Sequence, residues 1–180
     1  LRSAHVSAGE ITQIAFQVNC TKAEVIAFTR FIDGYARAHI MLDDGTSIRR
    51  VGTGNDPSWS ANGASLVLRY EDCYYYYYYC YYGLTVVSSD GAHSEQLSTS
   101  DDRQPDWSPD GSKIAVARFL DNQGNLYVMK ADGSAAAPVV IPQFTGVVED
   151  PAWSPDGTQI AFTCSLNNVR DICVVNADGS

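Results

Sequence analysis

Three near-identical copies of one short motif constrain the fold of this chain more than any other feature of its sequence. The motif is Pro-x-Trp-Ser-x-x-Gly, and it occupies residues 57–63, 105–111 and 151–157. Its tryptophans lie 48 and 46 residues apart, at Trp59, Trp107 and Trp153. A repeat of this length is typical of four-stranded propeller blades.

A second marker, the dipeptide Asp-Gly, has the same period. It occurs at 44–45, 90–91, 132–133 and 178–179. Between the markers, each unit alternates short apolar strands with turns, and helical periodicity is nearly absent. The sequence therefore predicts one all-β domain over residues 1–180, a β-propeller of about four four-stranded blades. We place the repeat units at about 21–54, 55–103, 104–149 and 150–180, with an N-terminal strand at 10–18.

The fourth unit carries the full pattern Pro-x-Trp-Ser-Pro-Asp-Gly-x-x-Ile-Ala-Phe, followed by Asp-Ile-x-Val-x-Asn-Ala-Asp-Gly-Ser. This pattern resembles the TolB-type, WD-like propeller repeat. Three units match it well, whereas the unit at 21–54 keeps the hairpin and lacks the tryptophan motif. The resemblance implies a propeller but little about function, because propellers serve many roles. We assign structural roles to Trp59, Trp107 and Trp153, and to Asp110 and Asp156, whose side chains can cap their own turns.

The two ends of the sequence predict how the blades close. The apolar strand at 11–16 has no evident partner, and the last unit lacks an outer strand. Pairing the two would complete the fourth blade and remove an exposed edge. Three arrangements remain open at this point. The strand closes its own ring, it completes the last blade of a neighbouring copy in a filament, or the chain is part of a larger ring.

The most unusual segment is a tract of eight tyrosines within nine positions. They are Tyr74, Tyr75, Tyr76, Tyr77, Tyr78, Tyr79, Tyr81 and Tyr82. Alignment with the fourth unit makes this hairpin six residues longer than its counterpart. Because tyrosine is enriched at interfaces, we interpret the tract as a binding surface for a carbohydrate, a peptide or a sister subunit. Two other interpretations are an extended hairpin whose rings pack on neighbouring loops, and an error in the assigned sequence.

The cysteines favour an oxidising compartment. Cys164 and Cys173 flank a hairpin loop, and Cys73 and Cys80 flank the tyrosine tract. Cross-strand neighbours lie within disulfide reach, so we predict both bridges and an extracellular or periplasmic location. Cys20 is then left over, either buried, free or paired with another chain. The alternative is five reduced, buried cysteines.

Other features mostly exclude functions. The net charge of −9 and scattered cations argue against nucleic acid, and no apolar run reaches the length of a membrane span. Three histidines and the absence of a G-x-S-x-G motif predict no catalytic site, no metal and no cofactor. Asn19 fits the N-x-Thr pattern for glycosylation.

These observations predict a secreted, non-enzymatic module that binds a protein or glycan through its loops and the tyrosine-rich hairpin. One alternative is a subunit of an extracellular filament assembled by strand exchange, with self-assembly into an oligomer or fibre. The other is the propeller domain of a larger prolyl-peptidase-like hydrolase, because TolB-like propellers also occur in such enzymes.

Overall fold

Four antiparallel sheets follow one another along the chain. The computed structural model describes residues 11–17, 25–74, 79–121, 123–141, 144–167 and 169–179. The first sheet contains β1 (Ile11–Gln17), β2 (Val25–Ile32), β3 (Tyr35–Leu42) and β4 (Arg49–Thr53). The second contains β5 (Asn55–Trp59), β6 (Ser65–Tyr74), β7 (Tyr79–Ser88) and β8 (Ser94–Ser98). The third contains β9 (Asp102–Trp107), β10 (Lys113–Leu120), β11 (Gln123–Lys130) and β12 (Ala137–Pro138). The fourth contains β13 (Val147–Trp153), β14 (Gln159–Leu166) and β15 (Val169–Asn176).

Every strand pairs with its neighbour in sequence, so each sheet is a meander of the kind that forms a propeller blade. The predicted all-β fold class is confirmed. The fourth sheet contains three strands among the described residues, and the other three sheets contain four each.

The predicted position of the N-terminal strand is wrong. Instead of completing the last blade, β1 pairs with β2, with Phe16 opposite Ile26 and Gln17 opposite Val25. It therefore occupies in the first sheet the place that β5, β9 and β13 occupy in the others. The physical reason is proximity in sequence, because closing a short loop costs less entropy than closing a long one. In the part of the chain that the structure describes, the first and fourth sheets do not pack on each other.

Alternation along the strands buries both faces of the inner sheets. Leu66 and Leu68 of β6 pack against the first sheet, in a cluster with Ala27 and Ile40. Val67, the residue between them, points the other way and packs against Ile114 of the third sheet. A third cluster joins the third and fourth sheets and includes Leu126, Ile160, Phe162 and Val175. Successive side chains of a strand point to opposite faces of the sheet. A sheet that lies between two others therefore buries side chains on both faces.

The first strand of the second, third and fourth sheets bends just before the motif proline. Asp56, Gln104 and Asp150 have positive φ angles of 53°, 49° and 50°, which is uncommon for residues other than glycine. Their side chains link one sheet to the next. The Gln104 N–H donates to Asp56 Oδ2 at 3.3 Å, and the Asp150 N–H donates to Gln104 Oε1 at 3.3 Å.

The middle residue of the Pro-x-Trp motif forms a second link across the sheets. Ser58 Oγ accepts from the Trp107 N–H at 3.1 Å and donates to Asp106 Oδ1 at 3.0 Å. Asp106 Oδ2 accepts from the Trp153 N–H at 2.8 Å. Burial raises the pKa of Asp106, and these hydrogen bonds oppose that rise. The motif thus joins the second, third and fourth sheets through one chain of hydrogen bonds.

Candidate binding face

The two ends of the sheets form different surfaces. Antiparallel strands reverse at each connection, so the β2–β3, β6–β7, β10–β11 and β14–β15 hairpins lie at the same end as the connections between sheets. We call this end the hairpin face, and it includes residues 31–37, 53–55, 69–71, 80–84, 98–103 and 118–121. The opposite end, the turn face, carries residues 43–48, 60–64, 89–93, 108–112, 131–136 and 154–158.

On the turn face, the motif aspartates accept hydrogen bonds from their own turns. Asp110 Oδ1 accepts from Ser108 Oγ at 2.6 Å and from the Ser112 N–H at 2.9 Å. Asp156 is held in the same way within its own turn. These hydrogen bonds lower the pKa of both carboxyl groups to about 2. The carboxylates thus serve the turns in which they lie.

The tryptophans lie close to the inter-sheet links. Trp107 Nε1 donates to the carbonyl oxygen of Gly111 at 3.1 Å, and Trp153 Nε1 donates to that of Asp106 at 3.2 Å. The Trp59 ring packs against the core cluster between the first two sheets. Two of the rings therefore donate to backbone carbonyls of the repeat motif, and the third packs on the core.

The tyrosine-rich hairpin extends from the hairpin face. Strands β6 and β7 are ten residues long, whereas the corresponding strands of the other sheets have eight. Tyr74 pairs with Tyr79 in the last described step of the ladder. Tyr75, Tyr76, Tyr77 and Tyr78 lie outside the described residues, as does Asn19. Nearer the sheet, Tyr81 is 55% exposed and Tyr82 is half-buried.

Three of the described cysteines are disulfide-bonded. Cys164 and Cys173 form a disulfide with a Cα–Cα distance of 5.8 Å. The bond runs diagonally, because Cys164 lies opposite Asp171 rather than opposite Cys173. Cys80 is also disulfide-bonded, and the ladder places it directly opposite Cys73. The side chain of Cys73 lies outside the described part of the chain.

Arginines and aromatic rings form a platform at the base of the tyrosine-rich hairpin. The Arg69 guanidinium lies 5.2 Å from the centre of the Tyr82 ring. Arg103 lies 6.0 Å from the same ring and 3.8 Å from the centre of the Phe119 ring. Cation–π contacts of this kind contribute about 0.5–2 kcal/mol each, depending on burial. We call Arg69, Tyr82, Arg103 and Phe119 the Arg–aromatic platform.

Carboxylates hold the platform in place. Asp101 accepts two hydrogen bonds from Arg103, at 2.9 and 2.7 Å, and lies 3.8 Å from Arg69. Its neighbour Asp102 is fully buried and accepts two hydrogen bonds from Arg118, at 2.6 and 2.9 Å. Paired hydrogen bonds fix the planar guanidinium more firmly than a single contact would. The connection between the second and third sheets therefore presents its charges in a defined geometry.

A cavity of about 280 Å³ lies beside the platform, between the first and second sheets. Its lining includes Tyr35, Arg37, Asn55, Arg69 and Glu71. A shallower groove of about 880 Å³ shares Tyr35, Arg37 and Glu71 with the cavity and continues outward between the same two sheets. The two spaces therefore adjoin each other along these shared residues.

The His39 side chain packs within the first sheet. His39 donates through Nδ1 to the Arg37 carbonyl at 3.0 Å, and its ring stacks on Phe28. Burial lowers the pKa of His39. Among the described residues, no group of three or more His, Cys, Asp or Glu side chains is placed to hold a metal ion. The described elements also include no helix that is long and apolar enough to cross a membrane.

The repeat matches a known family. A family model, the TolB beta propeller domain, matches residues 77–180, which is more than half of the chain. The chain belongs to the TolB beta propeller domain family. The predicted TolB-type repeat is confirmed, and the match covers the third and fourth sheets together with part of the second. No curated protein sequence is significantly similar to the whole chain.

Solved structures agree on the fold of this family member. TolB from Acinetobacter baumannii superposes with a TM-score of 0.74 at 13% identity, covering 93% of this chain and 41% of its own. A structure from Agrobacterium tumefaciens assigned to TolB gives a TM-score of 0.70 at 18% identity, covering 86% and 58%. Puromycin hydrolase gives 0.66 at 17% identity, covering 97% and 30%. The chain thus spans less than two thirds of each of these proteins.

The TolB-family repeat explains the tryptophans and turn aspartates but not the binding face. Of the predicted binding residues, Tyr82 belongs to the Arg–aromatic platform, and Tyr81 stands exposed beside it. Sequence reasoning missed Arg69, Arg103 and Phe119, which come from β6, β9 and β10. The sequence contains only a weak signal for these three residues. Arg69 directly follows the apolar run 66–68, at the point where β6 reaches the hairpin face.

Proposed function

We propose that this chain is a non-enzymatic binding module that holds a protein or glycan partner on its hairpin face. The Arg–aromatic platform carries the proposal, because arginines and tyrosines dominate binding energy at interfaces. Tyr81 adds an exposed ring beside the platform. Loops on a rigid β scaffold are also the usual place for binding residues.

We further propose that the module works outside the cell or in the periplasm. The Cys164–Cys173 disulfide and the disulfide-bonded Cys80 support this location, since such bonds persist in oxidising compartments. Mass spectrometry of protein purified from its native source, under conditions that block free thiols, tests the location. The proposal predicts oxidised Cys164, Cys173 and Cys80, whereas fully reduced cysteines would contradict it.

The alternative of a filament built by strand donation has lost its main support. It required a free N-terminal strand, and β1 already pairs with β2. The alternative of a hydrolase domain keeps some support, because puromycin hydrolase contains a similar propeller in 30% of its length. That alternative predicts a catalytic domain on the same polypeptide.

Peptide and glycan arrays test the binding function. The first variant replaces residues 74–79 with Asn-Gly, a turn that suits a short hairpin. The second, Arg103→Gln, removes one of the two cations of the platform. We expect both to weaken array binding about tenfold or more, since a central arginine commonly contributes 2 kcal/mol or more, a loss of about thirtyfold.

Arg49→Gln is the matched control for Arg103→Gln. Arg49 lies near the turn face and donates to the Ser89 carbonyl, so its loss should leave array binding unchanged. Equal binding by the wild type and both hairpin-face variants would refute the proposed function. Equal weakening by Arg49→Gln would show that charge alone, and not the platform, accounts for the signal.

A further inference from the structure

Two residues that line the cavity between the first and second sheets carry buried polar atoms without hydrogen-bond partners among the described residues. Arg69 Nε and Asn55 Oδ1 are both buried and have no hydrogen-bond partner among the described residues. Asn55 lies directly opposite Arg69 in the ladder, so the two groups are neighbours. Buried donors and acceptors that lack a partner are rare and costly. One of these atoms is a donor and the other an acceptor.

The arginines of the first sheet have no carboxylate partner among the described residues. Outside this sheet, Arg69, Arg103, Arg118 and Arg170 each form an ion pair. Within it, the four arginines form no ion pair with the carboxylates that the structure describes: Arg30, Arg37, Arg49 and Arg50. The chain carries a net charge of −9. In a chain this acidic, a cluster of arginines without carboxylate partners creates a local positive potential, which favours an anionic ligand.

Two of these arginines line the cavity and the groove. Arg37 lines both spaces, and Arg50 lines the groove beside it. Glu71 is the one carboxylate among the described lining residues, and Arg69 offsets it at 3.6 Å. Tyr35 is 63% exposed and places its ring beside Arg37, 5.1 Å from the guanidinium. The cavity and groove are therefore lined by arginines, by an exposed aromatic ring and by the residues that carry the two buried polar atoms without partners.

We propose that the cavity and groove between the first and second sheets bind an extended acidic peptide segment of a partner protein. A peptide group complements the two unpaired atoms, because its carbonyl accepts from Arg69 Nε and its N–H donates to Asn55 Oδ1. Acidic side chains of the same segment reach Arg37 and Arg50 along the groove. This inference rests on the proposed binding function and specifies the partner's chemistry at one site.

Nuclear magnetic resonance of the 15N-labelled chain tests the inference. The probe is a capped heptapeptide of alternating alanine and aspartate, compared with the same peptide carrying asparagine in place of aspartate. We expect the aspartate peptide to shift the Nε–H signals of Arg69 and Arg37, and the asparagine peptide to bind about tenfold more weakly. Sodium glucuronate and sodium acetate report whether a sugar acid or charge alone produces the same shifts.

Three variants make the test specific. Asn55→Ala removes the acceptor, Arg37→Gln removes a lining cation, and Arg49→Gln is the matched control outside the cavity. We expect the first two to weaken the aspartate peptide about tenfold or more, because each loses a buried or charged hydrogen bond. The control should bind like the wild type.

Each contrary outcome overturns the inference in a distinct way. Equal binding of both peptides would exclude an acidic ligand, and shifts with glucuronate alone would assign the site to a carbohydrate. Absence of any shift would show that water alone satisfies Arg69 and Asn55. If array binding still depends on Arg103 while the cavity binds no peptide, the proposed function stands and this inference fails.

Discussion

Replacing Asp106 with alanine should destabilise the propeller by separating its sheets. The Asp106 carboxylate bridges two boundaries, because it accepts from Ser58 in the second sheet and from the Trp153 N–H in the fourth. Hydrogen bonds to a charged group contribute about 1.5–3 kcal/mol each, so two give a gross loss of about 3–6 kcal/mol. The alanine variant no longer buries a charged carboxylate, and this gain offsets part of the loss. We therefore expect the free energy of unfolding to fall by about 2–4 kcal/mol.

Urea unfolding followed by tryptophan fluorescence measures this loss. The method suits the chain because all three tryptophans belong to the repeat motif and lie at or near sheet boundaries. Asp43→Ala is the control, since this turn-face carboxylate forms no hydrogen bond or ion pair with the part of the chain that the structure describes. It should change the free energy of unfolding by less than about 0.5 kcal/mol. A loss below about 0.5 kcal/mol for Asp106→Ala would refute the bridging role.

The same variant predicts a pH dependence with a definite sign. Burial raises the pKa of Asp106 above its usual 3.8, so between the unfolded and folded pKa values the native state binds more protons than the unfolded state. Stability contributed by Asp106 is therefore fully present below the unfolded pKa and decreases as pH rises through this window. The difference in unfolding free energy between wild type and Asp106→Ala should narrow over that range. A difference that widens would contradict the assigned burial.

Three further predictions follow from local geometry. Carboxyl 13C titration should give Asp110 and Asp156 pKa values of about 2. Because these pKa values are lowered, the stability that the two carboxylates contribute should be lost as pH falls from the usual 3.8 toward 2. Titration midpoints near 4 would contradict the hydrogen bonding. Replacing both Cys164 and Cys173 with alanine should cost about 2–3 kcal/mol of unfolding free energy for a loop closed across nine residues, and no change in urea midpoint would show that the bond is dispensable. Gly83→Ala should cost about 1–3 kcal/mol, because a Cβ atom would lie 2.1 Å from a backbone oxygen of β8; wild-type stability in the same urea assay would contradict this close approach.

Local sequence signals predicted most of the fold. The Trp motif and the Asp-Gly turns set the period of the sheets, and residues such as Leu66 and Val67 alternate between two cores as buried strands require. The pairing of β1 with β2 was not predicted, because the first unit lacks the Trp motif that marks β5, β9 and β13. Without that marker, an apolar strand at 11–16 fits either end of the propeller equally well.

The candidate site was less predictable because its residues are distant in sequence. The tyrosine tract lies on the hairpin whose base contributes Tyr82 to the platform, and its functional role stays a prediction. The Arg–aromatic platform is assembled from four strands of two sheets, which contribute Arg69, Tyr82, Arg103 and Phe119. No spacing in the sequence encodes that assembly, since it follows from the register of the sheets and their packing. The unpaired atoms of Asn55 and Arg69 are likewise visible only after burial is known.

Hydrogen–deuterium exchange of the chain, free and bound to an array-identified partner, tests the central claim most directly. The account predicts slower exchange on binding within residues 69–71, 80–84 and 98–103 of the hairpin face. It predicts unchanged exchange at 108–112 and 154–158 of the turn face. Protection confined to the turn face would contradict the assignment of the hairpin face as the binding surface.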